Sequence, residues 1–328
     1  RILPSELTDK STPLIKLTLS NTLLTQDDLV ALANLHMLRC LKLRHNTYPG
    51  NKLAFKQVRF QKLEYLLVEG SNWIEISFEE DTAAPELVKV VLCFEIIESI
   101  AGVDRLKKLE ELELNKCNKD SDKTDPATAA GVTNAPVPST ATAPYPAPSA
   151  PTAASAVATD HVPSSTPTIR NPAPSRTTTT ASAANPTQTT TSTNQVLLPE
   201  LLSSAKQVSK VTLRGTMLKQ GDLRALARME NIRCLVLSHG SYDGSQLDVN
   251  KDEFPRLNVL VVSCPTVTGI KFEAGSSPQL EKLVWAFAEM KTFSSIENLT
   301  RLKKLELIGH SLPDKVKEDI DKHRDGDR

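Results

Sequence analysis

The chain has 328 residues, of which 39% are hydrophobic, so it is long enough for two domains with cores of their own. Lys plus Arg and Asp plus Glu both number 39, and this balance argues against nucleic-acid binding by counterion release and against attraction to an anionic membrane. No apolar run approaches the roughly 18 residues that a membrane-spanning helix needs. We therefore expect neither a nucleic-acid partner nor a membrane span.

A leucine pattern recurs along the first third of the chain. Leu38, Leu41 and Leu43 end on Asn46, which matches the LxxLxLxxN/C pattern of a strand followed by a returning segment. The central apolar positions of five such stretches recur about every 22 to 25 residues, the period of one leucine-rich coil. They are Leu17, Leu41, Leu66, Val90 and Leu112.

A helix is predicted between the first two of these stretches. Thr25 and Asp28 have the spacing of a capping box, and leucines follow at helical spacing at positions 29, 32 and 35. We expect this helix on the convex side of the coils. The matching position later in the chain is Lys219, so the cap signal is weaker there.

The middle of the chain, residues 118–195, consists mostly of Ala, Thr, Ser and Pro. Such a segment buries too little apolar surface to offset its ordering entropy, so we predict a disordered linker. A flexible spacer or an inserted sequence without its own role is favoured over a glycosylated stalk, because nothing in the sequence indicates secretion.

The last third of the chain repeats the first. Residues 211–272 align without a gap on residues 17–78, with about 24 identities in roughly 62 positions. The matches include residues outside the leucine pattern, such as Cys40 with Cys234 and His45 with His239. The central apolar positions of this copy are Val211, Leu235, Leu260, Leu283 and Leu305.

These patterns predict an α/β fold, a leucine-rich-repeat horseshoe of two blocks with about five repeats each. The first block covers residues 1–117, the linker residues 118–195, and the second block residues 196–328. We call the two blocks the first flank and the second flank. A capping helix is expected after Ser311, with Pro313 in its first turn and with Val316 and Ile320 facing the last coil.

Several strings add to the generic leucine spacing. They are Leu17–Ser20, Cys40–Leu43, Phe60–Leu66, Ile76–Glu79, Pro85–Leu87 and Leu106–Leu109 in the first flank, and Val211–Leu213, Phe254–Leu257, Ile270–Glu273, Pro278–Leu280 and Ile296–Leu299 in the second. They resemble the C-terminal leucine-rich repeats of grass coiled-coil nucleotide-binding immune receptors. The resemblance covers both flanks and omits the linker. It implies effector sensing and autoinhibition in the cytoplasm, with a pathogen effector or the receptor's own nucleotide-binding domain as partner.

The chain departs from that family in other respects. It contains no Gly-x-x-x-x-Gly-Lys-Ser/Thr loop to cradle phosphates and no visible coiled coil. We therefore expect no cofactor in this chain, and ATP or ADP only if a nucleotide-binding domain lies upstream. The chain begins with Arg1, so we regard it as a fragment. Two alternatives stay open, a substrate adaptor of a ubiquitin ligase and a free-standing scaffold.

The candidate partner-binding residues come from strand alternation. The leucines of each LxL point inward, so the residues between them line the concave face. An apolar patch rimmed by charge on such a face is typical of a protein-docking surface. The predicted contact residues are Lys42, Arg44, Tyr65, Leu67, Glu69, Val91, Val236, Val259, Val261 and Val284. The competing interpretation is that the register is wrong or that the chain covers its own strands.

No constellation in the sequence indicates an enzyme or a metal site. His45 and His239 lack a second ligand at metal spacing, and each is better explained by a turn. The acids at positions 79–81 fit a solvated loop, and Asn298 fits either a glycosylation site or a structural position of the repeat. The five cysteines are an odd number without paired spacing and have no nearby histidine, which favours a reducing, cytoplasmic location and gives no nucleophile.

Overall fold

The computed structural model describes residue 3 and residues 13–45, 47–48, 50, 52–55, 59–70, 75–94, 99–116 and 205–325. The predicted linker and Cys117 lie outside the described residues, and so does Asn46. The described parts of both flanks belong to the same compact unit.

The first flank consists mainly of short strands. They are β1 (Lys16–Ser20), β2 (Cys40–Arg44), β3 (Lys52–Phe55), β4 (Tyr65–Gly70), β5 (Glu75–Phe78), β6 (Lys89–Phe94), β7 (Ser99–Ala101) and β8 (Glu111–Lys116). A helix, α1 (Gln26–Ala33), follows β1, and a 3-10 turn, Val103–Arg105, follows β7.

The second flank has the same order of elements. Its strands are β9 (Lys210–Arg214), β10 (Cys234–Ser238), β11 (Gln246–Val249), β12 (Val259–Ser263), β13 (Gly269–Phe272), β14 (Lys282–Ala286), β15 (Thr292–Ser294) and β16 (Lys304–Ile308). Helix α2 (Gln220–Ala227) follows β9, a 3-10 turn (Ile296–Asn298) follows β15, and helix α3 (Asp314–Asp325) follows β16.

All the strand pairs within these elements are parallel. One long sheet has ten strands in the order β1-β2-β4-β6-β8-β9-β10-β12-β14-β16. Two three-stranded sheets, β3-β5-β7 and β11-β13-β15, run along the returning segments. The described residues therefore form a parallel β-solenoid with few helices. The horseshoe curvature and the division into two separate blocks stay predictions.

The long sheet continues from one flank to the other. Strand β8 pairs with β9 in register, so Leu112 faces Val211 and Leu114 faces Leu213. The backbone N–H of Ser209 and of Lys210 both donate to the carbonyl of Glu110, at 3.0 and 2.9 Å. The same pair of hydrogen bonds occurs at the start of other strands of the long sheet. For example, the backbone N–H groups of Glu64 and Tyr65 both donate to the carbonyl of Arg39. The junction thus has the hydrogen bonding of any other pair of neighbouring coils.

The predicted strand register is confirmed. In β2, for example, Leu41 and Leu43 are 0% and 1% exposed, whereas Cys40, Lys42 and Arg44 are half-buried or exposed. Each fully buried leucine contributes about 1.5–3 kcal/mol relative to an exposed one. Rows of such leucines along the parallel strands form the core, so stacking of coils is what makes the fold stable.

Aromatic side chains fill the space between the long and short sheets. In the first flank Phe55 and Phe78 stack with their ring centroids 4.9 Å apart. In the second flank Trp285 lies 5.2 Å from Phe287 and 5.7 Å from Phe293. Trp285 is 0% exposed. Its indole N–H has no hydrogen-bond partner among the described residues.

The predicted capping box at the start of α1 is confirmed. The N–H of Asp28 donates to the Thr25 hydroxyl at 3.3 Å, and the N–H of Thr25 donates to the Asp28 carboxylate at 3.0 Å. At α2 only the second half of the box exists, where the Lys219 N–H donates to Asp222 at 2.9 Å. A lysine ammonium has no acceptor to offer, so the other half is missing.

The predicted C-terminal helix is present, with one correction. Helix α3 begins at Asp314, and Pro313 precedes it as the residue whose carbonyl accepts from Val316 and Lys317. Pro313 was expected inside the first turn. Val316 is 3% exposed and belongs to the core, and Ile320 packs against that core. The helix contacts β15 and the 3-10 turn before β16, so it covers the short-sheet side of the last coil.

Candidate partner-binding face

The long sheet presents one side of its strands away from the leucine core, and we call this side the open face. Each strand contributes three alternate residues to it. We call them leading, middle and trailing in chain order, as with Lys16, Thr18 and Ser20 of β1. In register, the leading row is Lys16, Cys40, Tyr65, Lys89, Glu111, Lys210, Cys234, Val259, Lys282 and Lys304. The middle row is Thr18, Lys42, Leu67, Val91, Glu113, Thr212, Val236, Val261, Val284 and Glu306. All ten predicted contact residues lie on this face.

The open face of the first flank is dominated by charges that pair with each other. Arg44 donates to Glu69 at 2.9 Å, and the Lys42 ammonium lies 5.4 Å from the centre of the Tyr65 ring. A hydrogen bond and the charge of Glu69 raise the pKa of Arg44. Burial raises the pKa of Tyr65. Four predicted contact residues are thus engaged within the chain.

A second charged cluster crosses the junction between the flanks. Lys89 lies 3.2 Å from Glu111 and 3.5 Å from Glu113, and Lys210 lies 3.1 Å from Glu111. Burial acts to raise the pKa of Glu111, but hydrogen bonds from Lys210 and Lys89 outweigh it and hold the pKa below its usual value. Two lysines and two glutamates therefore neutralise each other here. The sequence pattern did not indicate this cluster, because the residues are brought together only by strand pairing.

The expected exposure of Val91 is corrected by the structure. Val91 is 3% exposed, whereas Leu67, the preceding residue of its row, is half-buried. Its neighbours along β6 reach across to β8: Lys89 pairs with Glu113, and the Asn115 amide lies 3.3 Å from the Cys93 sulfur. Val91 lies between these two links and offers almost no surface to a partner.

The open face of the second flank is apolar at its centre. Val236, Val261 and Val284 are in register on the neighbouring strands β10, β12 and β14, and Val259 adjoins them in the leading row. All four are half-buried. Neighbouring strands are about 4.8 Å apart, so the three middle-row valines form a continuous row roughly 10 Å long. We call these four residues the valine patch.

Positive charge borders the valine patch. Glu306 accepts from Lys304 at 2.7 Å and from Lys282 at 3.3 Å, so one carboxylate serves two lysines. Hydrogen bonds from these lysines lower the pKa of Glu306. Arg214, at the trailing end of β9, is exposed and has no carboxylate partner within the described parts of residues 13–116 and 205–325. Charged side chains thus lie on two sides of the valine patch.

The turns after β2 and β10 confirm the structural interpretation of the two histidines. His45 and His239 have φ values of 48° and 47°, a left-handed conformation used in turns. Tyr242, in the second of these turns, donates to Gln220 at 2.6 Å and to the Gln246 carbonyl at 2.8 Å. Burial raises the pKa of Tyr242 to about 12. The turn is therefore a hydrogen-bonded anchor of the coil.

The remaining polar groups of the described residues make mainly structural contacts. Within the part of the chain that the structure describes, no three His, Cys, Asp or Glu side chains form a group that could hold a metal ion. Asn298 donates to the Phe272 carbonyl at 2.8 Å, which confirms its structural role in the repeat. No disulfide joins the four described cysteines to one another, and burial raises the pKa of Cys234. The helices of the described residues are too short or too polar to cross a bilayer.

Comparison with known proteins gives a structural match of low similarity. No family model matches the chain, and no curated protein matches it. A chain from the crystal structure of the mouse RP105/MD-1 complex superposes with a TM-score of 0.24 and 13% sequence identity, over 90% of this chain and 67% of that one. The fold described above therefore rests on the strand pairing alone.

Proposed function

We propose that this chain is a protein-recognition region that binds a protein partner through the open face, with the valine patch as the anchor. The observation that supports this proposal most directly is the row of half-buried valines in register on β10, β12 and β14. Apolar side chains at the centre of a surface, bordered by charge, are where binding energy concentrates in protein interfaces.

The area of the open face indicates how much of it a partner must cover. Five strands about 4.8 Å apart and five residues of about 3.3 Å each give the second flank roughly 300 Å² of open face. A stable interface covers about 800 Å² on each partner. Ten strands give roughly 700 Å² by the same estimate. The partner is therefore expected to cover both flanks, and the continuous β8–β9 pairing makes such a surface available.

The two flanks would have different roles in such an interface. The valines of the second flank provide area that is released from water on binding. Charges of the first flank that already pair within the chain contribute more to selecting the partner than to affinity. The candidate contacts that would help to select the partner are Lys42, Arg44, Tyr65, Leu67 and Glu69.

The finer proposal is that the chain is the recognition and autoinhibitory end of a cytoplasmic plant immune receptor. The strings quoted above support this proposal, as does the solenoid, whose strands follow the predicted repeats. The partner would then be a pathogen effector or the receptor's own nucleotide-binding domain. Reading the transcript upstream of Arg1 tests this directly. An in-frame phosphate-binding loop and coiled coil would support it, and an open reading frame encoding an F-box-like segment would favour the ubiquitin-ligase adaptor.

The binding proposal is tested with peptides selected on the protein from a displayed library. Their dissociation constants are then measured for the wild type, Val261→Asp and Val284→Asp. Each substitution places a carboxylate in the centre of the patch, so binding should weaken by more than about tenfold. The thermal midpoint should stay within the range of the wild type, because both side chains are already partly solvated.

A matched control is available on helix α1. Val30 is 39% exposed and lies outside the open face, so Val30→Asp makes the same chemical change elsewhere. This variant should bind like the wild type. Equal loss of binding in all three variants, or loss of folding in the two patch variants alone, would contradict the proposed anchor. Hydrolysis of ATP by the purified protein would contradict the proposal that the chain acts by binding alone.

A further inference from the structure

The last strand of the long sheet is paired on one side only. Strand β16 pairs with β14, and the sheet order ends there. Its other edge has no strand partner among the residues that the structure describes. Unpaired backbone donors and acceptors along such an edge form a template for another strand.

The side chains of β16 are also less buried than those of the strands before it. Leu305 and Leu307 are only half-buried, whereas Leu283 and Trp285, which face them in register, are 0% exposed. Ile308, on the open face of this strand, is 55% exposed. The end of the leucine core is therefore accessible beside an unpaired strand edge.

Helix α3 has its main contacts away from this edge. It packs against β15 and the 3-10 turn, on the short-sheet side of the last coil. The opposite end of the sheet differs, although β1 too is paired on one side only among the described strands. Leu17 and Leu19 of β1 are 8% and 9% exposed, and Leu3 belongs to the core cluster. The two ends of the solenoid are thus unequal, and the half-buried leucines lie at the β16 end.

We propose that the β16 edge binds the β16 edge of a second copy of this chain, antiparallel, across a two-fold axis at Leu305. In that register Leu305 faces its own copy, and Ile308 lies opposite position 302, just before the strand. On the open face, Lys304 of each copy faces Glu306 of the other. Opposite charges directly across an antiparallel pair stabilise it, and the strand is therefore complementary to itself.

Charge pairing disfavours the alternative registers. An axis at Glu306 would place the two Glu306 carboxylates opposite each other, and like charges in that position destabilise a pair. An axis at Leu307 would place Glu306 opposite Ile308. With the axis at Leu305, Glu306 keeps Lys282 as a neighbour and gains the second copy's Lys304. Charge pairing thus favours one register and a second copy as the occupant.

The first experiment measures the oligomeric state of the full 328-residue chain by sedimentation equilibrium. The wild type should form a dimer that dissociates on dilution. Ile308→Lys should raise the dimer dissociation constant by at least about tenfold. Ile15 is 53% exposed at the other end of the sheet, so Ile15→Lys is the matched control and should dimerise like the wild type. A monomeric wild type at every concentration, or equal effects of the two substitutions, would overturn the proposal.

A charge exchange tests the register independently of folding. Lys304→Glu sets the new carboxylate opposite Glu306 of the second copy, and Glu306→Lys sets the new ammonium group opposite the second copy's Lys304. Like charges then face each other in both cases, so each variant alone should be monomeric. Mixed in equal amounts, the two variants restore opposite charges at both positions and should form a heterodimer.

Recovery of dimer in the mixture supports the register, and failure to recover overturns it. The outcome is separate from the valine-patch binding assay, because the oligomeric state is measured on the chain alone, without a selected peptide.

Discussion

The two flanks share one scaffold and differ on the face that it presents. Inward positions stay apolar in both, as Leu41 and Leu235 do, each 0% exposed. On the open face Lys42 corresponds to Val236 and Tyr65 to Val259. The core restricts inward positions to apolar residues, whereas open positions contact neighbouring side chains of the same face and solvent. A duplicated solenoid can therefore keep its fold while its surface changes.

The difference also separates two uses of charge. In the first flank and at the junction, Lys89, Glu111, Glu113 and Lys210 neutralise each other. In the second flank Glu306 has two lysine neighbours, and the apolar valines adjoin them. Charges on the face of the first flank are thus largely paired within the chain, whereas the centre of the second flank's face is apolar.

The largest expected effect comes from the aromatic core of the second flank around β14. Trp285→Ala removes a buried indole and should lower the free energy of unfolding by about 3–5 kcal/mol. Trp285→Leu should lower the free energy of unfolding by a smaller amount. Leu92 occupies the corresponding position of the first flank, and the substitution also removes the unpaired indole N–H. Denaturant titration followed by circular dichroism measures both. Equal costs for the two variants would show that the first-flank packing is not a model for the second.

A smaller effect is expected at a left-handed position before each 3-10 turn. Gly102 has φ 74°, and Ser295 occupies the matching position with φ 65°. A Cβ on Gly102 would collide with the Phe78 carbonyl. Gly102→Ala should therefore lower the free energy of unfolding by at least about 1–2 kcal/mol, the cost of the left-handed φ alone. Ser295→Gly should leave it unchanged or raise it slightly, because the strain is relieved but chain entropy is lost. A stabilising Gly102→Ala, measured by thermal unfolding, would contradict the assigned strain.

The contributions of the two helix caps to the free energy of unfolding should differ by about 1 kcal/mol. Thr25→Ala removes the acceptor for the Asp28 N–H and should lower the free energy of unfolding by about that amount. Lys219→Thr supplies the missing acceptor at α2 and should raise the free energy of unfolding by up to about 1 kcal/mol. Thr25→Ser, which keeps the hydroxyl, is the control and should be close to the wild type. Thermal unfolding of the three variants in parallel provides the measurement, and a neutral Thr25→Ala would show that the cap does not stabilise the fold.

The smallest effect is expected from the junction charges, and it should depend on pH. The pKa of Glu111 is lowered in the folded state, so its contribution is present above the unfolded value of about 4.5 and is lost as pH falls through the folded pKa. Glu111→Gln should therefore lower the free energy of unfolding by about 1 kcal/mol or less at neutral pH, and by still less in acid. Unfolding titrations at neutral and acidic pH measure the difference. A cost that grows as pH falls would contradict the assigned pairing with Lys89 and Lys210.

The position of each contact candidate followed from its sequence, but its accessibility did not. Strand alternation correctly put Val91 and Val261 on the same face. Only the structure shows that Val91 is buried between two links from β6 to β8, because those links join residues from different coils. Ile308 was not selected as a contact, although its 55% exposure makes it the most accessible large apolar residue of the described open face.

Local pattern determined the inward leucines, helix α1 and the turns at His45 and His239, because side-chain period, caps and backbone strain act over a few neighbouring residues. Tertiary structure decided that β8 pairs with β9 across the predicted linker, that charges gather at that junction, and that the β16 end of the core is left accessible. These outcomes depend on which coils become neighbours in space, and a repeat pattern specifies how a coil is built without specifying where the stack continues or ends.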